Sequence, residues 1–374
     1  MKEKRVAYIF DMQVDVDSRT QKEIASLIRN GYKVRVFEWD KSKDYKTKSE
    51  MVTIRGVLIP KETIGIKVQK SKGFKENIRF LIKYEIELFK WLKRNKNTYD
   101  YIHCVNLDTA LVSMVCAHLF KKKVVYDVFD DYADAHNCGA FLYKVIKHID
   151  YFVMKRCNYV IICSEKRRKQ IIGPLNKLIV IHNSPDIEIR NISSNNEDCL
   201  KIAYVGNLIP TRMIEELIDI VKKHPEYELH CGGDGLLSKK IKRYSRKYSN
   251  IHYYGKMEYE DVVRLESKCD LVPAIYDPAL KNNQYAAPNK FYEAISLGKP
   301  TIMVHDTGMD DMVDKYNLGL TINNSYDELE KALKSILEKM QYWKKQQNRI
   351  IKLYQKKFRW KNMERRLMKI YNDL

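Results

Sequence analysis

The sequence predicts an α/β protein of two doubly wound domains, each with a parallel sheet covered by helices on both faces. Short apolar runs of β type alternate with amphipathic helical patterns, and the alternation stops at a polar, turn-rich stretch and then starts again. Strands that are apolar on both faces and separated by helices are typical of a parallel sheet. The length of 374 residues exceeds one ordinary core, which also favours two domains.

The first domain is predicted to span residues 1–186. It begins with the strand "RVAYIF", a helix through "SRTQKEIASLIRNG" and the strand "YKVRVFEW". Gly31 is expected to close that helix, because glycine readily adopts the left-handed conformation that follows many helix C-termini. The later predicted strands are "YDYIHCV", "KKVVYDVFD", "NYVIICS" and "KLIVIHN", with a helix through "TALVSMVCAHLF" between the first two.

A linker is predicted at residues 187–199, and the second domain at residues 200–345. The predicted strands of the second domain are "LKIAYVGN", "YELHCGGDG", "NIHYYGK", "DLVPAIY" and "PTIMVH", and helices separate them. Residues 346–374 are predicted to be helical, and the last amphipathic helix carries Leu367, Ile370 and Tyr371 on one face. This order of elements indicates a second doubly wound sheet followed by a helical tail.

The chain is strongly basic, with 68 Lys and Arg against 48 Asp and Glu and a formal net charge of +20. Such an excess is either solvated or paired with an anionic partner, such as nucleic acid, phospholipid headgroups or a phosphorylated substrate. The basic residues are spread along the chain without forming a separate arm or tail. Charge alone therefore leaves the partner open.

The cysteines and the apolar runs indicate a reducing compartment. The chain has 8 cysteines without a CxxC pair, and several lie in apolar strand-like runs, which is typical of buried thiols and not of a disulfide framework or a zinc site. The apolar run at the N-terminus is too short for a signal peptide. No stretch approaches the ~20 apolar residues that a membrane-spanning helix needs. A cytoplasmic location is therefore expected.

Glycine turns at strand ends indicate a ligand site in the second domain. In open parallel sheets, ligands bind beyond the carboxyl ends of the strands. Glycine lets backbone N–H groups approach a ligand, a helix N-terminus favours anions, and an arginine can hold phosphate with two parallel hydrogen bonds. Three such turns predict a site for a nucleotide, with the candidate residues Gly206, Asn207, Arg212, Gly233, Asp234, Gly255 and Lys256.

The turn in "YAAPNKFYEAISLGKPTIM" is the most specific of these segments. It puts Pro288, Asn289 and Lys290 at the start of a helix, where proline is favoured and Asn289 is expected to act as the cap. Lys290 adds positive charge where a diphosphate would lie. Glu293, one turn into the helix, could accept hydrogen bonds from two adjacent ribose hydroxyls. Its alternative role is to interact with the helix dipole.

The segments "GNLIPTR", "GGDG", "GKM" and "PNKFYEAISLGKPTI", in that order, resemble the nucleotide-sugar domain of the group 1, mostly retaining, GT-B glycosyltransferases of bacterial polysaccharide and glycoconjugate synthesis. Four segments of the first domain also resemble the strands and turns of this family: "YDYIHCVN", "KKVVYDVFDD", "NYVIICSE" and "IVIHNSPD". The ending "FRWKNMERRLMKIYNDL" is similar to the family's final helix, which crosses back onto the first domain. The resemblance implies two Rossmann-like domains that face a cleft.

The resemblance implies that Arg212 and Lys290 hold the diphosphate and stabilise the charge that develops on it. Glu293 would hold the ribose, and the backbone of the Gly255–Lys256 turn would meet the base. The chain departs from the family pattern at two positions. Many members have a basic residue where this chain has Asn207, and many have a sugar-contacting glutamate where it has Ala286. The identity of the donor sugar is therefore left open.

The resemblance also implies acceptor-side and catalytic roles for Asp130 and Asp131, and places Arg19 near the phosphates or the acceptor. The alternative for Arg19 is an ordinary surface position on its helix. Two alternatives apply to the segment "DVFDDYAD", which includes Asp127 and Asp134. It matches a DDxxD magnesium–diphosphate motif, although that motif lies on helices of all-α proteins, and Asp130 could instead be a helix cap. A retaining reaction needs no dedicated base. Because Arg212 and Lys290 can neutralise a diphosphate without a cation, neither a metal nor a cofactor is expected.

The helix predicted near residues 75–96 carries more apolar and basic surface than packing on one sheet requires. One stripe is expected to pack on the sheet and consists of Ile78, Leu81, Ile82, Phe89 and Leu92. A second, aromatic edge is expected to face anionic lipid with the surrounding lysines and consists of Phe80, Tyr84 and Trp91. The alternative is an ordinary helix with solvated lysines.

The sequence thus predicts a cytoplasmic or peripheral inner-membrane glycosyltransferase. It would move a sugar from a nucleotide diphosphate to a saccharide or lipid-linked acceptor. One alternative is a sugar-nucleotide epimerase on the same fold, which needs acid and base carboxylates around the sugar and is disfavoured by Ala286. The other is a basic nucleic-acid-binding protein, but no recognisable module supports it, so no nucleic-acid partner is expected.

Overall fold

The computed structural model describes residues 3–69, 74–136, 138–186 and 199–374. The chain divides into two compact units. The first unit consists of Met1–His182 with Met363–Leu374, and the second unit consists of Asn183–Asn362. The linker predicted at residues 187–199 lies outside the described residues apart from Cys199.

In the described part of the first unit, eight strands form one sheet in the order β3-β4-β2-β1-β5-β6-β7-β8. The strands are β1 (Lys4–Phe10), β2 (Tyr32–Asp40), β3 (Tyr45–Ile54), β4 (Val57–Gly65), β5 (Tyr101–Val105), β6 (Lys123–Val128), β7 (Tyr159–Ile162) and β8 (Leu178–Val180). The helices are α1 (Ser18–Arg29), α2 (Phe74–Arg94), α3 (Leu107–Leu119), α4 (Tyr132–Ala135) and α5 (Ala140–Arg156). All strand pairs are parallel except β3 with β4. The predicted parallel sheet is therefore confirmed.

The antiparallel pair β3–β4 is a hairpin that the alternation of strands and helices did not predict. Its turn is Arg55–Gly56, and both residues have positive φ, 47° and 82°. Two left-handed residues match the right-handed twist of the flanking strands, which is why such turns connect hairpins. Gly31 also has a positive φ of 84° just after α1 and closes that helix, as expected.

The aromatic edge predicted to lie outside on α2 belongs to the core. Tyr84 and Trp91 are 0% and 2% exposed, and the Tyr84 ring stacks on Trp39 with the ring centroids 4.5 Å apart. Phe80 also packs against this core. Burying these large rings removes more apolar surface from water than burying the isoleucines would, so the helix turns its aromatic face inward. The exposed apolar edge consists instead of Ile78, Ile82 and Ile86, at 36%, 49% and 50% exposure.

The second unit contains a parallel sheet with the order β11-β10-β9 and a parallel pair β12–β13. The strands are β9 (Leu200–Asn207), β10 (Tyr227–Asp234), β11 (Ile251–Tyr253), β12 (Thr301–Val304) and β13 (Gly319–Ile322). The helices are α6 (Ile214–Val221), α7 (Ser238–Ser245), α8 (Tyr259–Ser267), α9 (Asn289–Ser296), α10 (Asp310–Tyr316), α11 (Tyr326–Glu338) and α12 (Met340–Lys357).

The predicted strand "DLVPAIY" joins these two sheets without being a regular strand. The N–H of Ala203 donates to the carbonyl of Leu271 at 2.9 Å, and the N–H of Ala274 donates to the carbonyl of Ile302 at 2.9 Å. Pro273 lies between these two links and has no N–H to donate, so the ladder is interrupted there. The segment nevertheless lies between β9 and β12.

The last helix, α13 (Trp360–Asp373), belongs to the first unit from Met363 onward. Leu367, Ile370 and Tyr371 are fully buried, which confirms the predicted apolar face. The Tyr371 hydroxyl forms a 2.9 Å hydrogen bond with Nδ1 of His103 on β5. Among the described residues, no helix combines the length and the apolar character that crossing a membrane requires.

A buried charge cluster lies between β1, β5, β6 and α1 of the first unit. Arg19 donates to both carboxylate oxygens of Asp127, at 3.0 and 2.9 Å, and its Nε lies 3.1 Å from Glu23. Nε2 of His103 lies 3.4 Å from Glu23 and 3.8 Å from Asp127. Burial alone lowers the pKa of His103, but its interactions with Asp127 and Glu23 outweigh burial and raise the pKa. The cluster thus favours a protonated histidine in the core.

We expect the stability that His103 contributes to fall as the pH rises. A histidine whose pKa is raised by folding stabilises the fold fully below its unfolded pKa of about 6.5, and this contribution is lost as the pH climbs through the folded value. The difference in unfolding free energy between the native chain and His103→Gln should therefore shrink by about 1.4 kcal/mol for each unit separating the two pKa values. Urea unfolding at several pH values measures it, with His148→Gln at an exposed position on α5 as control. A difference that stays constant with pH would contradict the prediction.

Candidate functional site

The carboxyl ends of β9, β10 and β11 carry three glycines in left-handed conformations. Gly206, Gly233 and Gly255 have φ of 140°, 111° and 69°. A Cβ built on Gly233 would lie 1.9 Å from the carbonyl oxygen of Gly206, so only glycine permits this approach of two backbones. The N–H of Gly233 donates to the carbonyl of Gly255 at 2.6 Å. The three predicted turns are therefore brought together at one edge of the sheet.

Lys290 extends from the start of α9 to the turn after β9. A Cβ built on Gly206 would lie 2.6 Å from Lys290 Nζ, which shows how close the ammonium group is to the backbone of that turn. The same Nζ lies 4.8 Å from the centroid of the Tyr204 ring. Burial lowers the pKa of Lys290, the carboxylates of Glu293 and Glu266 oppose this, and the positive charge of Arg212 lowers it further. The net effect is a lowered pKa of Lys290. The neighbouring carboxylates therefore do not fully offset the cost of burying its ammonium group.

Arg212 lies in the same part of the second unit, at the end of a short 3₁₀ turn, Pro210–Arg212, that follows β9. Its guanidinium lies 3.4 Å from the centroid of the Tyr276 ring, which fixes its plane. Among the described residues, Nη1 of Arg212 is buried without a hydrogen-bond partner. A buried donor without a partner is costly, and an anion placed beside it would remove that cost.

The N-terminus of α9 is arranged differently from the prediction. Pro288 occupies the cap position, and Asn289 is the first helical residue and does not cap the helix. A side chain caps a helix from the residue before the first turn, and proline has no group that can do so. In the part of the chain that the structure describes, no side chain caps α9. Backbone N–H groups at the start of α9 therefore have no side-chain cap. Together with the positive end of the helix dipole, they can bind an anion.

Glu293 is buried in α9, with 5% exposure. Burial raises the pKa of Tyr259 in α8, and the neighbouring carboxylate of Glu293 raises it further. Glu266, also on α8, is fully buried, and neither of its carboxylate oxygens has a hydrogen-bond partner among the described residues. Burial raises the pKa of Glu266, the charge of Glu293 adds to this, and Lys290 opposes it.

Sequence reasoning did not identify Glu266 or Tyr276 as part of this site. Tyr276 is the last residue of the predicted strand "DLVPAIY" and could have been found from its position at the end of a strand. Glu266 lies in an amphipathic helical pattern, where a glutamate ordinarily faces solvent. No signal in the sequence marks its burial.

The other predicted donor-side residues lie at the turns without entering the interior. Asn207 and Lys256 are exposed. The carboxylate of Asp234 accepts from the hydroxyl of Ser238 and the N–H of Gly235, both at 2.8 Å, and these bonds lower its pKa. Asp234 therefore fixes the conformation of the turn after β10.

Asp130 and Asp131 contact different basic side chains. Asp131 accepts from the N–H of Asp134 at 3.1 Å and from Lys147 at 2.6 Å, so the helix cap is Asp131 and not Asp130. Asp130 has a side chain that is 53% exposed, and it accepts from Arg167 at 2.7 Å. The backbone of Asp131 is extended just before α4, which is the geometry a cap requires.

The DDxxD interpretation finds no support in this geometry. Asp127 is bonded to Arg19 in the interior, whereas Asp131 and Asp134 both lie near Lys147. Within the described ranges, Asp131 and Asp134 belong to no group of three that could hold a metal ion, whereas Asp127 converges with Glu23 and His103. Arg19, predicted near the phosphates or acceptor, is 5% exposed and also donates to the carbonyl of Ile181.

Comparison with known proteins agrees with the resemblance. Residues 185–357 match the family model of "Glycosyl transferases group 1". The O-antigen biosynthesis glycosyltransferase WbnH of Escherichia coli is 24% identical over 175 residues, which are 46% of this chain and 46% of that protein. The matched region thus spans about half the length of this curated relative.

Many solved structures match the chain, and two of those that cover nearly its whole length illustrate the likeness. Sucrose-phosphate synthase from Thermosynechococcus elongatus gives a TM-score of 0.73 at 13% identity, covering 99% of both chains. Alr3699/HepE from Anabaena, in complex with UDP, gives a TM-score of 0.70 at 15% identity, covering 99% of this chain and 100% of that one. At such identities the likeness concerns the fold, and the predicted GT-B fold is confirmed.

Proposed function

We propose that this chain, which carries a group 1 glycosyltransferase domain at residues 185–357, transfers a sugar from a nucleoside diphosphate to an acceptor hydroxyl. The observation that carries the proposal is the position of the Lys290 ammonium beside Gly206, at the uncapped start of α9. A diphosphate at this point would meet the ammonium, the guanidinium of Arg212 and the helix N-terminus together. Each of these favours a phosphate group.

In the proposed reaction, negative charge develops on the diphosphate that leaves the sugar. The bond between the sugar carbon C1 and the β-phosphate oxygen breaks, and the acceptor oxygen forms the new bond to C1. The leaving diphosphate gains negative charge, which Arg212 and Lys290 stabilise more strongly than they stabilise the bound donor. The proton of the acceptor hydroxyl passes to the leaving phosphate oxygen, as suits a retaining reaction.

Recognition of the nucleoside is assigned to Glu293 and the turn after β11. We propose that the buried carboxylate of Glu293 binds the ribose hydroxyls. The backbone of Gly255–Lys256 would contact the base. The residues that shape the backbone around them are Gly206, Gly233, Asp234 and Pro288. Asn207 and Asn289 add polar side chains at the same edge. The structure of Anabaena HepE was solved with UDP, so UDP is the first nucleotide to test.

Ala286 favours transfer over epimerisation. Its side chain offers no acid or base, and a Cβ built on Gly308 would lie 1.6 Å from the Ala286 carbonyl, so the backbone is tightly packed here. An epimerase needs carboxylates on both faces of the sugar, whereas transfer can use the phosphate itself as the proton acceptor.

The acceptor is assigned to the first unit, with Asp130 as the residue to test. Asp130 is half exposed, whereas Asp131 and Arg19 are bonded in the interior and would support the acceptor surface from within. WbnH is named for O-antigen biosynthesis, and a saccharide or a lipid-linked saccharide is the acceptor class that we propose. An exposed carboxylate suits such an acceptor because it can accept hydrogen bonds from sugar hydroxyls.

The proposed membrane contact is the exposed edge of α2. Ile78, Ile82 and Ile86 form an apolar stripe there, and Lys83 and Lys90 beside them are 58% and 62% exposed. Isoleucines one turn apart with lysines alongside are typical of a helix lying on an anionic bilayer. The chain would thereby reach a lipid-linked acceptor from a cytoplasmic position on the inner face of the membrane.

Substituting the donor residues should weaken nucleotide binding without unfolding the chain. Each charge-assisted hydrogen bond contributes about 1.5–3 kcal/mol, so Arg212→Ala and Glu293→Ala should each weaken UDP binding by roughly 10- to 150-fold. Calorimetry measures the affinity, and Arg264→Ala, at an exposed arginine of α8, is the matched control. Unchanged affinity in both variants would refute the assignment.

Transferase activity is expected to survive chelation. Arg212 and Lys290 can neutralise a diphosphate without a cation, so activity measured after EDTA treatment should remain close to that of untreated enzyme. Complete loss that magnesium or manganese restores would show that the diphosphate is bound through a metal ion.

Binding to anionic vesicles should depend on salt and on the lysines of α2. Electrostatic attraction is screened over about 8–10 Å at physiological ionic strength and over a shorter distance near molar salt. Flotation should show binding at low salt, release near molar salt, and loss after changing Lys83, Lys90 and Lys93 to Glu. Changing Lys331, Lys334 and Lys339 on the second unit to Glu gives the same change in net charge as a control. A native chain that stays unbound at low salt, or equal loss in both triple variants, would contradict the proposed contact.

A further inference from the structure

One face of the sheet in the second unit carries two histidines and a glutamate side by side. His230 on β10 and His252 on β11 are partners in the parallel register, so their side chains are neighbours on the same face. Glu228 precedes His230 by two residues and therefore points to that face as well. The two imidazole rings stack with their centroids 4.7 Å apart.

The ligating atoms of these three residues converge. Oε1 of Glu228 lies 3.2 Å from Nε2 of His230 and 2.8 Å from Nε2 of His252, and all three atoms lie within 4.8 Å of one another. A tetrahedral ion with bonds of about 2.0–2.2 Å places neighbouring ligands roughly 3.4 Å apart, so the spacing fits such an ion after small adjustments. Among the described residues, neither Nε2 has a hydrogen-bond partner of normal geometry, although both lie close to the carboxylate.

The surroundings orient these ligands and leave a path for an ion. Nδ1 of His230 lies 2.8 Å from the hydroxyl of Tyr254, which fixes the ring so that Nε2 faces the cluster. Metal-binding histidines commonly have their second nitrogen held in this way. The cluster adjoins a groove of about 710 Å³, whose lining includes His230, Tyr254 and Lys201. Solvent can therefore supply the remaining ligand.

We propose that Glu228, His230 and His252 form a binding site for a divalent transition-metal ion of the zinc class. Two imidazoles and one carboxylate suit zinc, nickel or copper better than magnesium. The ion would join β11 to β10 and hold the strand that leads into the Gly255 turn. Lys201, whose Nζ lies 3.8 Å from Glu228, partly neutralises the carboxylate when no ion is bound. The proposal involves none of the residues assigned to the diphosphate and stands independently of the transferase function.

The test is zinc titration of the full chain, without an affinity tag and after removal of metals. Calorimetry should show one equivalent bound to the native chain, and zinc should raise its thermal unfolding temperature. His230→Gln and His252→Gln should each weaken binding by at least about tenfold and abolish the thermal shift. Tyr254→Phe should keep the site but weaken it by about 10- to 100-fold, as expected for loss of a residue that orients a ligand.

His224 provides the matched control, because it also lies between two carboxylates, at 3.0 Å from Glu226 and 3.3 Å from Glu330. His224→Gln should bind zinc like the native chain. Absence of zinc binding in the native chain would overturn the proposal. So would equal affinity in all three histidine variants, or binding that disappears only when the cysteines are blocked.

Discussion

The geometry of the candidate site depends on one contact, the approach of the Lys290 ammonium to the backbone of Gly206. A side chain at position 206 would occupy the place of the ammonium group, and a side chain at position 233 would collide with the Gly206 carbonyl. The two glycines therefore allow the turns after β9 and β10 to lie close together and leave room for the side chain that extends from α9. Without this approach, Lys290 could not extend from the start of α9 to the turn after β9.

The pKa values of buried lysines are shifted in opposite directions in the two units. In the first unit, burial lowers the pKa values of Lys61 and Lys147, but carboxylate partners outweigh it and raise both. In the second unit, burial and the charge of Arg212 outweigh Glu293 and Glu266, and the pKa of Lys290 is lowered. A cation that the free protein stabilises poorly gains most from an incoming anion. This contrast supports a structural role for the buried lysines of the first unit and an anion-binding role for Lys290.

The sequence predicted the elements whose signals are local. Glycines after apolar strands located the three turns, and proline before a helical pattern located the start of α9. The sequence could not decide which face of α2 is buried, because both the aromatic edge and the isoleucine stripe have helical spacing and only packing chooses between them. It misplaced the cap of α9 at Asn289, and it left open whether Asp130 caps a helix, since a shift of one residue decides which side chain reaches the N–H groups. Burial of Glu266 and pairing of His230 with His252 depend on contacts between distant segments, so periodicity could not show them.

We propose that the uncapped start of α9 and the turn after β9 together bind the diphosphate. Hydrogen–deuterium exchange with and without saturating UDP tests it most directly, because bound phosphate oxygens would accept from the backbone N–H groups that the proposal names. Bound UDP should slow exchange in two segments, residues 206–212 and 289–293. Protection confined to the first unit, or no protection at either segment while UDP is bound, would contradict it.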